Sequence, residues 1–298
     1  MNIVVLGAGA IGSFFGGLLS KHNQVLLVGR TDHVNKINRQ GLLIKGKTQL
    51  KRELKAVNSV SQVSSSPDLL ILTVKSFDTL HAITQAKKII GPDTLVLSFQ
   101  NGLDNLNQIR KIVDKNLILV GIITHGVQFL QPGIIYHKGK GKTIIGEPYQ
   151  ERTQRIQQIA DIFNQANISI TISSNIIEDI WKKAIVNASI NPLTTIFECQ
   201  NGYLAQNPIL TEMVKKICEE SVHVAQQNGF SLKAEDLINL TFEVIQQTKK
   251  NNSSMLQSIK QGKQTEIDEI NGKIAEIGKA KNCTVYLNEL LTKIIKSF

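Results

Sequence analysis

The 298 residues carry 34 lysines and arginines against 24 aspartates and glutamates, a formal net charge of +10, with 42% hydrophobic residues. That length suits one large domain or two medium ones, and the apolar share is enough for ordinary cores. Cys199, Cys218 and Cys283 are widely spaced, with no C-x-x-C, which argues against a structural metal site and for a reducing, cytoplasmic compartment.

From Ile3 to Ser20 the chain has no charged residue but holds Gly7, Gly9, Gly12, Gly16 and Gly17. A membrane helix or signal segment would not carry so many glycines, so a strand, a turn and a helix are expected here, and no membrane partner. "GAGAIG" fits G-x-G-x-x-G through Gly7, Gly9 and Gly12, between the strand "NIVVLG" and a helix opened by Ala10 and Ile11. In that context Gly7 permits a tight turn and Gly9 lets the backbone approach a pyrophosphate. Gly12 lets the helix pack on the sheet, and the first helical amides face the phosphates.

The runs "VLLVG", "DLLILTV", "TLVLSF" and "LILVGII" follow, with helix-like segments between several of them. Near-continuous apolar runs alternating with helices predict a doubly wound parallel sheet. The second strand ends at Gly29 and Arg30. An arginine there suits a 2′-phosphate and favours NADP(H); Asp32 is the contrary signal, and its residue type equally suits a helix cap. "LTVKS" puts Lys75, and "LSFQNG" puts Asn101, at strand ends where such sheets bind ligands. "LLIKGKTQLKRELKAV" and "GIIYHKGKGKTIIGE" read as hairpins.

After about residue 174 long amphipathic patterns replace the strands, over 176–198, 207–228, 234–250 and 266–281. The expected division is a dinucleotide-binding domain at 1–174 and a helical domain at 175–298. The charge divides with it: 20 basic against 10 acidic residues before the boundary, and 14 of each after it. An excess on one side suits an anionic ligand, although a merely solvated surface reads the same way.

"WKKAIVNASINP" predicts a helix ended by Pro192. Lys183, Asn187 and Asn191 recur at i, i+4 and i+8, on one face of an otherwise apolar segment. Asparagine is a poor helix former, and buried amides need partners that a polar ligand can supply. "NNSSML" contains Asn251 and Ser254 and reads as a capped helix start. Spacing alone does not separate Glu266 from Asp268 and Glu269.

Together "GAGAIG", Arg30, "TVKS", "QNG", "GIITHG", "WKKAIVNASINPLT", "NNSSMLQSI" and "TEIDEING" resemble the 2-dehydropantoate 2-reductase, or ketopantoate reductase, family nearly end to end. The resemblance implies an α/β Rossmann domain followed by an all-α domain like that of 6-phosphogluconate dehydrogenases. It implies NADPH-dependent reduction of 2-dehydropantoate to (R)-pantoate on the way to pantothenate and coenzyme A. Lys183 matches the catalytic lysine and Glu266 the essential glutamate. Asn101, Asn187, Asn191, Asn251 and Ser254 match substrate positions. The glycine loop from Gly7 to Gly12, Arg30, Lys75 and Asn101 match the cofactor side. Ser258 departs from the family's frequent aspartate. A small 2-oxo acid is then the expected partner, with no nucleic acid and no metal, and a homodimer is compatible. The alternatives are a reductase of another 2-oxo acid or imine, and a non-catalytic dinucleotide-binding sensor.

Overall fold

The computed structural model describes residues 1–149 and 153–298. In chain order the first strands and helices are β1 (Asn2–Leu6), α1 (Ala10–Leu19), β2 (Gln24–Val28), α2 (Thr31–Gln40), β3 (Leu42–Gly46), β4 (Leu50–Arg52), β5 (Lys55–Val57), β6 (Leu69–Leu72), α3 (Thr79–Ala86), β7 (Leu95–Ser98), α4 (Asn105–Ile109) and β8 (Ile118–Ile123). Then come β9 (Gly126–Gln131), β10 (Ile134–Gly139), β11 (Thr143–Gly146), α5 (Gln154–Gln165) and β12 (Ile170–Ile172). The remainder is helical: α6 (Ile176–Ile196), α7 (Pro208–Gln227), α8 (Ala234–Gln247), α9 (Ser254–Lys260), α10 (Lys273–Ala280) and α11 (Tyr286–Ile295), with a π-helical turn at Asp268–Gly272 before α10. Among the described residues no helix is long and apolar enough to cross a membrane.

The chain forms two compact units. One comprises Met1–Gln100 and Asn105–Ile177, the other Asn101–Asp104 and Glu178–Phe298. This differs from a single cut at 174/175, because four residues from the middle of the first half pack with the helices.

In the first unit eight strands run in the order β12-β11-β8-β7-β6-β1-β2-β5. β1 pairs in parallel with β2 and with β6, so the order reverses at the C-terminal end of β1. β6 is buried along its whole length, as its apolar run requires. Phe15 stacks on Phe99 and meets Phe163 edge-on, so the packing of α1 on the sheet continues into α5. Each such fully buried side chain contributes about 1.5–3 kcal/mol.

A second sheet, in the order β4-β3-β10-β9, belongs to the same unit. β3 and β4 form the expected hairpin, but β5 leaves it to pair in parallel with β2. The second expected hairpin is absent. β10 pairs with β9 and β3, while β11 pairs with β8 and β12. The chain between them is pinned elsewhere: a side chain at Gly141 would lie 2.3 Å from the Thr124 carbonyl carbon, and β11 is mostly buried in the large sheet. His33 ties the small sheet to α1. Its Nδ1 accepts the Gly133 N–H at 2.9 Å, and its Nε2 lies 2.9 Å from the Ser13 hydroxyl.

In the helical unit, α6 runs through Pro192 rather than ending there. Proline has no N–H for the Ala188 carbonyl one turn back. The Asn271 Nδ2 amide donates to that carbonyl at 3.1 Å. Asn271 also donates to Asn288 at 3.0 Å, and Asn288 donates to Glu220 at 2.8 Å and Ser221 at 3.0 Å. A chain of buried amides therefore offsets the missing helical bond.

Candidate functional site

In the sheet unit, the candidate cofactor cradle lies at the end of β1. Gly7 has φ +110°, and a Cβ there would sit 2.5 Å from the Val74 nitrogen. At Gly12 a Cβ would lie 2.3 Å from the Gly7 carbonyl and 2.5 Å from the Thr73 hydroxyl. Both glycines are demanded by the fold. Gly9 is different: a Cβ there would meet only the Gly7 oxygen at 3.9 Å. The chain itself leaves open the space that a dinucleotide's pyrophosphate fills.

Gly9 caps α1, and the first helical bond runs from Ser13 N–H to the Gly9 carbonyl at 3.0 Å. The amides of Ala10, Ile11 and Gly12 thus begin the helix without i−4 carbonyls. No acidic residue occupies this first turn, so no carboxylate competes with an anion for them. The residues present therefore fit a dinucleotide. Thr73 donates to the Gly7 carbonyl at 2.8 Å and locks the turn.

Arg30 is exposed and is itself the N-cap of α2. Asp32 lies inside the first turn of that helix instead of capping it, where it favours the helix dipole. Lys75 is exposed and lies three residues beyond the end of β6, not at it, at the start of a short 3₁₀ turn. The turn after β7 is braced by Gln100, whose amide donates to the Val74 carbonyl at 3.1 Å and to Thr79 at 2.6 Å.

In the helical unit, α6 buries Trp181, Ala184, Ile185, Val186, Ala188, Ser189 and Ile190. The polar row interrupts this pattern: Lys183 and Asn187 are half-buried and Asn191 is buried. Burial pushes the Lys183 ammonium down to about 8, and the nearby Glu266 carboxylate pulls against that shift. Glu266 is itself buried, at 7% exposure. Asn101 donates from Nδ2 to Glu266 Oε2 at 3.2 Å. The structure thus brings together Lys183, Glu266 and Asn101, from three distant stretches of chain. Asn101, expected to serve cofactor and substrate alike, lies with the helical unit.

Ser253 caps α9 by accepting the Leu256 N–H, and it also takes a 2.8 Å hydrogen bond from Thr194 on α6. That bond sets the start of α9 beside the helix that carries the polar row. Ser254 follows as the first residue of α9 and is exposed. Asn251 is half-buried, and its carbonyl accepts the Asn201 N–H at 3.0 Å. Ser258, in the last turn of α9, accepts the Lys263 N–H at 2.9 Å through its carbonyl. Among the described residues no group of three or more His, Cys, Asp or Glu is placed to hold a metal ion.

The sequence alone does not single out Thr73, Gln100 or Asn271, whereas the capped helix start expected at "NNSSML" is present, with Ser253 as the cap. For Gln100 and Thr73 the signal was present, since both stand inside motifs quoted for their neighbours. Nothing local marks Asn271 as the partner of a carbonyl 83 residues away.

Residues 3–150 match the family described as ketopantoate reductase PanE/ApbA, and residues 175–298 match its C-terminal domain. The chain belongs to the ketopantoate reductase family. The 2-dehydropantoate 2-reductase of Pyrococcus abyssi is 43% identical over 297 residues, 99% of this chain and 97% of that one. The Pyrococcus horikoshii enzyme is 40% identical over 298 residues, 100% and 97% of the two chains.

A family ketopantoate reductase from Ralstonia eutropha superposes with a TM-score of 0.92 at 28% identity, covering 99% of this chain and 97% of that one. D-mandelate dehydrogenase in ternary complex with NADH and anilino(oxo)acetate superposes at 0.94, also at 28% identity, covering 100% and 98%. The family fold, an α/β unit followed by a helical one, is thus the fold observed here.

Proposed function

We propose that this chain reduces 2-dehydropantoate to (R)-pantoate with NADPH, on the route to pantothenate and coenzyme A. The observation that carries the reading is Lys183, with its ammonium drawn down to about 8 and held up in part by the charge of buried Glu266, which Asn101 hydrogen-bonds, in a chain of the ketopantoate reductase family.

NADPH, when bound, supplies the hydride. The Lys183 ammonium hydrogen-bonds the ketone oxygen and donates a proton as negative charge develops there, which suits a donor whose acidity lies near the working pH. Glu266, steadied by Asn101, accepts a hydrogen bond from the substrate hydroxyl. Asn187, Asn191, Asn251 and Ser254 orient the hydroxyl and carboxylate with neutral groups, which avoids burying an unpaired charge. Residues 1–174 serve the cofactor and 175–298 the substrate, except that Asn101, which lies with the helical unit, serves both. Gly7, Gly9, Ala10, Ile11 and Gly12 hold the pyrophosphate, Arg30 the 2′-phosphate, and Lys75 is assigned to the cofactor side. The three cysteines are free thiols, which supports a cytoplasmic location. Light scattering decides whether the chain forms a homodimer.

The test is NADPH oxidation with 2-dehydropantoate, repeated with Lys183→Ala. Turnover should fall at least about 100-fold, as for a lost general acid; an unaltered rate removes Lys183 from the role. The likeness to a D-mandelate dehydrogenase holding NADH and an oxo-acid analogue favours one second reading, reduction of a bulkier 2-oxo acid. Higher kcat/KM on an aryl 2-oxo acid than on 2-dehydropantoate selects it.

A further inference from the structure

Residues Asn101–Asp104 belong to the helical unit, and three contacts fasten them there in succession. Asn101 donates to Glu266, the Leu103 N–H donates to the Glu269 carbonyl at 3.2 Å, and Asp104 pairs with Lys273 at 3.2 Å. Glu266 precedes the π-helical turn, Glu269 lies within it and Lys273 opens α10. Gly102, at φ +94°, lies flush on that turn: a Cβ there would be 2.8 Å from the Glu269 oxygen and 3.0 Å from its Cβ.

The outermost contact is the charged one. The side chains of Lys273 and Asp104 are 16% and 23% exposed, and Lys273 also reaches Glu276 at 2.7 Å. A pair this sheltered is screened less than a surface pair and holds its geometry more firmly. Burial works against the Lys273 charge, but Glu276 and Asp104 outweigh it and hold the ammonium above its ordinary range. Lys273 thus stays charged throughout the neutral range.

We propose that the Asp104–Lys273 pair is a positioning device that seats the Asn101 carboxamide on Glu266 and so sets the affinity for the oxo-acid substrate. Neither residue touches the substrate. The Leu103–Glu269 bond gives the segment a pivot, and the ion pair fixes the side of the pivot opposite Asn101. The role assigned to Asn101 rests on the function proposed above, whereas the anchoring of the segment does not.

The experiment therefore has two arms. In hydrogen exchange, Asp104→Ala and Lys273→Ala should each speed exchange of the Leu103 amide by about 10-fold, because local opening no longer breaks an ion pair. Lys273→Arg should restore the wild-type rate. In steady-state kinetics, the same two variants should raise KM for 2-dehydropantoate about 5- to 10-fold, the size expected for loss of one partly buried charged contact. In both, kcat and KM for NADPH should stay within about 3-fold. In an Asn101→Ala background, Lys273→Ala should add no further rise.

Unaltered Leu103 exchange in both variants overturns the anchoring. Altered exchange with unaltered KM, an equal rise in KM for NADPH, or a further rise in the Asn101→Ala background overturns the positioning role. If the wild-type chain does not reduce 2-dehydropantoate, the functional reading and the assigned role of Asn101 fall together, and the exchange arm still decides the anchoring.

Discussion

Replacing Glu266 with glutamine removes one negative charge from the surroundings of Lys183 at nearly constant shape. The ammonium stands at about 8 as the balance of burial, which lowers it, and Glu266, which raises it. A neighbouring opposite charge typically moves such a group by about 1–3 pH units toward its charged form. The isosteric amide keeps part of this as a dipole, so Lys183 should drop by about 1–2 units, to between about 6 and 7. At about pH 7.5 the protonated fraction then falls from roughly three quarters to about one quarter or less.

Because the charged form is the proton donor, activity is lost as pH rises through this value. The basic limb of the kcat profile should therefore move to lower pH in Glu266→Gln. The assay is NADPH oxidation at saturating oxo acid from about pH 5.5 to pH 9.5, where one limb reports the donor in the enzyme–substrate complex. Weaker substrate binding lowers the amplitude of the profile but leaves the limb position to Lys183. A limb that stays in place, or moves to higher pH, refutes the electrostatic coupling of Lys183 and Glu266.

Arg30→Ala should raise KM for NADPH by 10-fold or more, roughly the loss of a charge-assisted bidentate contact, and leave KM for NADH within about 2-fold; equal changes remove Arg30 from the 2′-phosphate. Asn271→Leu should destabilise the fold by roughly 2–3 kcal/mol in urea unfolding, since the Ala188 carbonyl and Asn288 amide lose a partner. Pro192→Ala should recover part of that loss only in the Asn271→Leu background, because it returns an N–H to the same carbonyl. Burial holds His33 at about 4, so the unfolded chain takes a proton there below about pH 6.5 that the folded chain refuses. Stability should fall by up to 1.4 kcal/mol per unit as pH drops from about 6.5 toward 4. His33→Gln should flatten that slope in chemical unfolding at stepped pH.

The parallel strands were legible because strands buried on both faces leave unbroken apolar runs, as in "LLIL" of β6. The glycine loop was legible because a turn, a close approach and a helix start each constrain residue type locally. The segment 133–147 was misread because strand pairing is a long-range choice: β10 and β11 are neighbours in sequence but find partners in different sheets. Pro192 was read as a terminator by a local rule that Asn271, 79 positions on, overrides with one hydrogen bond. Among the candidate site residues, the α6 row was visible from its spacing. Spacing alone did not separate Glu266 from Asp268 and Glu269; the family resemblance singled it out, and its bond to Asn101, 165 residues away in sequence, sets it apart in the structure.

The lodging of residues 101–104 among the helices bears on how such proteins can be recombined. A chimera that grafts this helical half onto a foreign dinucleotide-binding half at residue 175 keeps every helix but leaves these four residues behind. The graft inherits whatever turn the donor supplies opposite Glu266 and Lys273. Transplanting "NGLD" along with the helices is therefore a condition for moving the contacts to Glu266, Glu269 and Lys273 intact, and swaps that omit it will pair a complete set of helices with an unfilled edge.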